Sequence, residues 1–127
     1  MPKAFTLIEL LIVIALLGIL SSIGVVTFTG HIASSHKKKA EVTINSIYLA
    51  QSEYQSNNSE YCINSCNSTS TIVNNLLDGV DNLSDQKYNF TISGNTSNQT
   101  YTIQARHKTS SCTLTLTHKS AKGESGC

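Results

Sequence analysis

The hydrophobic pattern of the chain begins with a long stretch that is apolar on every side. Residues 5–28 have only five polar interruptions, at Thr6, Glu9, Ser21, Ser22 and Thr27. A helix rises about 1.5 Å per residue, so a helix of this length can cross a hydrocarbon core of about 30 Å. We therefore predict a helix in this segment that is surrounded by lipid or by protein.

A second pattern follows, in which the apolar positions occupy one face of a helix. They recur at spacings of three and four, which is the repeat of an amphipathic helix. These positions are Ala40, Ile44, Ile47, Tyr48, Gln51 and Tyr54. The only proline is Pro2, so no proline interrupts either pattern. The sequence predicts one continuous helix from about Phe5 to Gln55, whose second half packs against its own domain.

The last third of the chain alternates apolar and polar residues with the period of β-strands. Three runs, KYNFTISG, QTYTIQAR and CTLTLTH, each place their apolar residues on one face. Hairpin signals at Gly94-Asn95 and at residues 108–111 separate them. The predicted fold class is α+β. A long N-terminal helix has a protruding hydrophobic half and an amphipathic half, and the latter packs on a small three-stranded antiparallel sheet.

The predicted segment boundaries follow these changes of pattern. The hydrophobic half of the helix covers residues 5–30, its amphipathic half covers residues 31–55, and a globular head covers residues 56–127. Within the head, residues 56–86 form a turn-rich connecting loop. Residues 87–127 form the antiparallel sheet and a C-terminal disulfide loop.

Composition limits the head to a small core. The chain has 127 residues, and most of its large aliphatic side chains lie in the N-terminal segment. Small domains with weak cores are commonly stabilised by disulfides. Cys62, Cys66, Cys112 and Cys127 therefore predict two disulfides in an oxidising compartment. The local pairings are favoured because neither closes a loop across the sheet, while crossed pairings and a zinc site with four cysteine ligands are alternatives.

The remaining polar residues give no sign of catalysis. The four histidines have no metal-binding spacing, and no nucleophile triad or glycine-rich phosphate loop is present. We predict a protein that is not an enzyme and that uses no metal or cofactor. The net charge of +1 indicates no strong attraction of the whole protein to nucleic acid.

Positive charge is instead concentrated locally. Lys37, Lys38 and Lys39 follow the apolar segment, where such side chains typically form a collar at lipid headgroups or in solvent. These three lysines, together with Arg106 and Lys108, are also candidate contacts for DNA or for another surface.

The N-terminal sequence carries the most specific signal. Within AFTLIELLIV, Ala4 and Phe5 precede an apolar run that contains a single carboxylate, Glu9. A secretory signal peptide places its small residue after the apolar core, whereas Ala4 lies before it, so cleavage there leaves the helix on the mature protein. These residues resemble the class III signal of prepilins. With the helix-then-sheet plan and the C-terminal cysteine pair, the chain resembles a type IV pilin.

This resemblance implies a role for each matching residue. Residues 1–4 would be a leader that prepilin peptidase removes between Ala4 and Phe5, although the family usually has glycine where Ala4 stands. Phe5 would become the N-methylated first residue, and Glu9 would be the carboxylate used in filament assembly. A charge within a hydrocarbon core costs a few kcal/mol, and the Phe5 amine of a neighbouring subunit would neutralise it where the dielectric constant is low.

The resemblance also implies partners and a location. The chain would be a structural subunit of a type IV pilus, a helical homo-oligomer that includes other pilins and serves adhesion, twitching motility or DNA uptake. Before assembly it would be a single-pass protein of the bacterial inner membrane, beside the pilus assembly platform. Afterwards it would lie in the extracellular filament.

Three other functions are consistent with the sequence. One is a pseudopilin of type II secretion. Another is a surface DNA-binding, pilin-like module, which would also use Lys119 and Lys122. The third is an ordinary single-pass protein that forms no filament.

Overall fold

The structure is a computed structural model that describes residues 3–80, 83 and 86–127. Helix α1 covers Leu7–Asn58, a 3-10 turn covers Asn64–Cys66, and helix α2 covers Thr69–Leu76. The strands are β1 (Tyr88–Asn95), β2 (Thr100–His107), β3 (Thr113–Thr117) and β4 (Lys122–Ser125). The chain divides into two compact units, Met1–Ser35 and His36–Cys127.

The first unit contains the hydrophobic part of α1. The single helix predicted from about Phe5 to Gln55 is confirmed, with observed ends at Leu7 and Asn58. Helix α1 is long and apolar enough to cross a membrane, and none of its most apolar stretch is buried. The predicted leader begins with two residues that lie outside the described part of the chain.

The second unit is an antiparallel sheet with strand order β1-β2-β3-β4. The sequence predicted three strands, and this count is wrong because β4 is a fourth. Strand β4 has the sequence KGES and is exposed at every position, so it lacks the apolar alternation that identifies a half-buried strand. Its pairing depends on tertiary contacts: a tight turn at Ser120 (φ 61°) precedes it, and the Cys112–Cys127 disulfide follows it.

The core lies between the inner face of the sheet, the second half of α1 and the α2 region. Phe90, Ile103, Ile47 and Ile72 are among its fully buried side chains. The predicted amphipathic face of α1 is confirmed. Ala40, Ile44, Ile47 and Gln51 are buried, while Tyr48 and Tyr54 are partly buried at its margin.

One buried polar side chain links the helix to the connecting loop. Gln51 is fully buried, and its side-chain amide donates to the carbonyl of Cys62 at 2.6 Å. The backbone N–H of Cys62 donates to Gln51 Oε1 at 2.9 Å. Both hydrogen-bonding groups of one peptide residue are therefore satisfied by one side chain, as burial requires.

The cysteines form the two local disulfides, Cys62–Cys66 and Cys112–Cys127. None of the four is left free to ligate zinc, and no crossed pairing occurs. The first disulfide closes the loop that Gln51 holds. The second ties the end of the chain to the start of β3, and in the chain-entropy model a loop of that size contributes about 3 kcal/mol.

Candidate functional site

The beginning of α1 is built by a reciprocal pair of hydrogen bonds between Thr6 and Glu9. The backbone N–H of Thr6 donates to Glu9 Oε2 at 2.9 Å, and the Thr6 hydroxyl donates to the same oxygen at 3.0 Å. In return, the backbone N–H of Glu9 donates to Thr6 Oγ1 at 3.3 Å. Since the helix starts at Leu7, this is a capping box with Thr6 at the N-cap and Glu9 at N3.

The capping box places the Glu9 carboxylate next to the predicted cleavage position. Ala4 and Phe5 lie just before the helix, in non-helical backbone, and Phe5 is 85% exposed. A peptide bond in irregular backbone is open to a peptidase, whereas a helical bond would first have to unwind. The carboxylate bonded to Thr6 is thus close in sequence and in space to the atom that cleavage would turn into an amine.

The helix that follows exposes large apolar side chains in every direction. They include Leu10, Leu11, Ile12, Ile14, Leu16, Leu17, Ile19 and Leu20, and each is at least half exposed. The polar side chains in this region bond to their own helix: Ser21, Ser22 and Thr27 each donate to a carbonyl one turn earlier. This segment therefore presents an apolar surface with its few hydroxyls satisfied internally, which suits lipid or other helices.

The basic run after this segment is partly neutralised. Lys37 Nζ lies 2.7 Å from Glu124 Oε2 of β4, and Lys38 Nζ lies 3.1 Å from Glu41 Oε2. The hydrogen bond to Glu124 raises the pKa of Lys37 above its usual value, so this lysine stays charged. Lys39 is exposed and has no ion pair with a carboxylate in the described residues. Two of the three predicted contact lysines thus stabilise the second unit itself.

Arg106 and Lys108 lie at one end of the sheet. Arg106 is exposed in β2 between its register partners Asn89 and Thr113, on the face opposite the core. Lys108 follows directly, and its backbone N–H donates to the carbonyl of Lys87 at 2.9 Å. Lys87, Arg106 and Lys108 therefore lie in one region of the sheet. The sequence predicted Arg106 and Lys108 as contacts but not Lys87.

The surface around these cations combines apolar groups with polar side chains that can donate hydrogen bonds. A groove of about 640 Å³ lies between the start of α2 and β1. Its lining includes Ser68, Thr69, Ser70, Asn89, Thr91 and Lys108. The loop that follows Lys108 is shaped by His107, whose Nδ1 accepts from the backbone N–H groups of Thr109 and Ser110 at 3.2 and 3.0 Å.

The remaining cations proposed for a surface contact lie elsewhere. The backbone N–H of His118 donates to the carbonyl of Tyr101, which places the turn containing Lys119 at the opposite end of β2 from Arg106. Lys122 lies on β4, opposite Leu116 and on the inner side of the sheet. The seven cations of the DNA-binding hypothesis therefore do not form one cluster.

The buried tyrosines have a structural role. Burial raises the pKa of Tyr101 well above its usual value, and burial likewise raises the pKa of Tyr88. Tyr101 packs edge-on against Tyr61 at 4.7 Å between ring centroids, and the Tyr88 hydroxyl donates to Cys112 Sγ at 3.4 Å. Both rings stay neutral and fill the core.

Two functional residues were missed by the sequence reasoning. Thr6 had a readable signal, because Thr-x-x-Glu before an apolar run is the pattern of a capping box. Glu124 had none, since its pairing with Lys37 joins the two ends of the second unit and no local pattern encodes such a contact.

A capped helix whose first half is apolar on every side, followed by a small disulfide-linked sheet, is the architecture of type IV pilins. Comparison with known families confirms this. Residues 27–122 match the family of the type IV minor pilin ComP, DNA uptake sequence receptor. Residues 2–25 match the prokaryotic N-terminal methylation motif. The chain therefore belongs to the ComP family of type IV minor pilins, and the resemblance noted from its N-terminus is correct.

A curated relative supports the same class. The type IV major pilin protein PilA of Myxococcus xanthus (strain DK1622) is 37% identical over 59 residues, which are 46% of this chain and 27% of that protein. The match thus spans only about a quarter of the relative. No solved structure matches the chain.

Proposed function

We propose that this chain is a non-enzymatic subunit of a type IV pilus that polymerises through its apolar helix. The observation that carries this proposal is the ring of exposed aliphatic side chains on residues 7–28. Burying apolar surface contributes about 25 cal/mol per Å², so such a helix is stable only inside a membrane or a bundle of helices. The subunit is held in the bacterial inner membrane first and in an extracellular filament, with other pilins, afterwards.

Glu9 and Phe5 give the filament its register. Prepilin peptidase cleaves between Ala4 and Phe5, Phe5 is methylated on its nitrogen, and the assembly platform then incorporates the subunit. The Phe5 amine of a neighbouring subunit then pairs with the Glu9 carboxylate, which already accepts hydrogen bonds from Thr6. In a helix bundle, where the dielectric constant is low, this attraction is much stronger than in water.

The mature N-terminus tests the processing step. We expect the intact mass of the protein purified from its host to lack residues 1–4 and to include one added methyl group on Phe5. The Phe5→Ala variant is the matched control. It can still be cut after Ala4, but it lacks the aromatic ring at the first position of the mature chain. A native protein that still begins at Met1 or Pro2 contradicts the proposal.

We further propose that the head binds DNA through the end of the sheet that contains Arg106 and Lys108. Residues 86–127 have five lysine or arginine side chains and only one side-chain carboxylate, Glu124, which is paired with Lys37. The family description of ComP as a DNA uptake sequence receptor supports this ligand. Cations with neighbouring hydroxyl and amide groups suit phosphate oxygens and base edges.

Reversing these charges will weaken DNA binding. In the Arg106→Glu/Lys108→Glu variant we expect the dissociation constant for duplex DNA to rise about tenfold or more. We also expect the slope of log K against log salt to become less steep, by the equivalent of about two phosphate contacts. Affinity is measured across a series of salt concentrations.

The control is Lys119→Glu, which makes half of the double variant's charge change at the opposite end of β2. A binding constant that does not respond to salt, or a loss of affinity in the control as large as in the double variant, excludes this site. Thermal unfolding and far-UV circular dichroism that match those of the parent establish that both variants fold alike.

A further inference from the structure

The two edges of the sheet are finished differently. The β1 edge is closed by Thr69: the backbone N–H of Phe90 donates to Thr69 Oγ1 at 2.9 Å, and the Thr69 hydroxyl donates back to the Phe90 carbonyl at 3.2 Å. A side chain thus occupies the position that another strand would take. Closing an edge in this way prevents strand addition.

The β4 edge has no such closure among the described residues. The backbone N–H of Thr117 donates to the carbonyl of Ala121, so residue 121 faces β3. Because an antiparallel ladder alternates, Gly123 and Ser125 also face β3, and the N–H and C=O groups of Lys122 and Glu124 face outward. A groove of about 340 Å³ lies between this strand and Ile44 of α1, and all four residues of β4 are exposed.

We propose that β4 pairs antiparallel with β4 of a second copy of this chain, about a two-fold axis at Gly123. In that register Lys122 lies opposite Glu124 of the second copy, and Glu124 lies opposite its Lys122. Each of these pairs exchanges two backbone hydrogen bonds, and each joins opposite charges on the same face of the sheet. One short strand thus supplies both halves of a self-complementary interface, as two-fold symmetry requires.

Glycine suits the centre of this interface. Gly123 would meet its own copy at the narrow type of antiparallel pair, where Cα atoms are about 4.5 Å apart. Its Cα faces Thr115 so closely that an added Cβ would lie 2.7 Å from Thr115 Oγ1. A larger residue would therefore disturb the sheet and crowd the axis.

Strand β4 is already ordered before it binds. Its first residue follows hydrogen bonds between Ala121 and Thr117, and its last precedes the Cys112–Cys127 disulfide. The ion pair with Lys37 also holds Glu124, and a carboxylate with two oxygens can bridge two ammonium groups. Ordering in advance lowers the entropic cost of association.

The interface is small, so a single pair associates weakly. Four backbone hydrogen bonds and two exposed ion pairs each contribute little in water, so we expect a dissociation constant near the millimolar end of the scale. Several copies on one filament would strengthen contact between filaments by multivalency. Charged residues on a short edge strand are also a common means of preventing pairing, and the experiments distinguish the two roles.

The first experiment is a zero-length carbodiimide cross-link on the full chain in detergent micelles, made from equal parts of ¹⁴N- and ¹⁵N-labelled protein. We expect peptides that join Lys122 of one label to Glu124 of the other. The Lys37–Glu124 ion pair, at 2.7 Å, provides a cross-link within one chain as a positive control. Formation of the control without any mixed-label Lys122–Glu124 peptide overturns the proposal.

The second experiment exchanges the charges. Lys122→Glu and Glu124→Lys each place like charges across the axis, and we expect each to weaken self-association about tenfold by sedimentation in the same detergent. Mixing the two variants, or combining them in one chain, restores opposite charges at both pairs and should restore association. The double variant lacks the Lys37–Glu124 pair as Glu124→Lys does, so a difference between them reports the interface alone; failure of both the mixture and the double variant overturns the proposal.

Discussion

Replacing Glu9 by glutamine will strongly reduce filament assembly and leave the start of α1 intact. Glutamine keeps an oxygen that can accept from the Thr6 N–H, so the capping box survives. It has no charge, so it cannot neutralise the Phe5 amine of a neighbouring subunit. An unpaired amine in a helix bundle costs several kcal/mol, and we expect the amount of sheared pili to fall at least about tenfold. The membrane fraction should contain the protein at its usual level.

Thr6→Val is the matched control for this experiment. It removes both hydroxyl contacts to Glu9 and retains the charge. Loss of an N-cap costs about 1 kcal/mol, so we expect a frayed first turn and filaments close to the normal amount. If Glu9→Gln assembles as well as the parent while Thr6→Val does not, the carboxylate serves to cap the helix and not to pair with an amine.

Replacing Gln51 by leucine will lower the free energy of unfolding of the second unit by about 3 kcal/mol. Leucine fits the volume and the apolar surroundings but leaves the N–H and the C=O of Cys62 buried without their partners. Each buried group that loses its hydrogen bond costs about 1–3 kcal/mol, and the gain from the apolar side chain offsets part of the loss. Urea unfolding followed by the circular dichroism of the tyrosines measures the change.

Ser52→Ala is the control at the next position of the same helix. The Ser52 side chain is exposed and its hydroxyl donates to the Tyr48 carbonyl of its own helix, so its loss should change stability by no more than about 0.5 kcal/mol. Equal effects of the two substitutions would show that Gln51 is not a clamp on the loop. A larger effect of Gln51→Leu in a variant without the Cys62–Cys66 disulfide would indicate that the Gln51 hydrogen bonds and the disulfide both hold the loop in place.

The two units divide the properties of the protein between them. Apolar surface lies on residues 7–28, where it favours membrane insertion and helix packing. Hydrogen-bonding groups, cations and disulfides lie on residues 36–127, where they suit an oxidising, aqueous exterior. Glu9 is the carboxylate of the first unit, and its hydrogen bonds to Thr6 at the first turn of α1 explain how the helix accommodates it.

Several elements could be predicted because their cause lies within a few residues. The apolar stripe of Ala40, Ile44 and Ile47 arises from a helical repeat that is visible in any short window. The alternation of Tyr88, Phe90 and Ile92 likewise identifies one face of a strand. The capping box belongs to the same group, because its Thr-x-x-Glu pattern spans only four residues.

Other features depend on residues far apart in the chain. Gln51 was placed on the apolar face by its spacing, but only the fold shows why an amide is buried there, since its partner is the backbone of Cys62. Strand β4 has no apolar alternation and exists because a turn and a disulfide hold it against β3. The ion pair between Lys37 and Glu124 likewise removes one lysine from the predicted basic surface.

The class of this protein, the length and character of α1 and the inward face of each predicted strand can be predicted from the order of the residues. These are set by periodicity and by a local signal around Ala4, Phe5 and Glu9, which do not depend on how the chain folds. The fourth strand, the closed and open edges of the sheet and the pairing of Lys37 with Glu124 follow from the tertiary structure. Those depend on hydrogen bonds and ion pairs between distant segments, whose geometry is defined only after the core has brought them together.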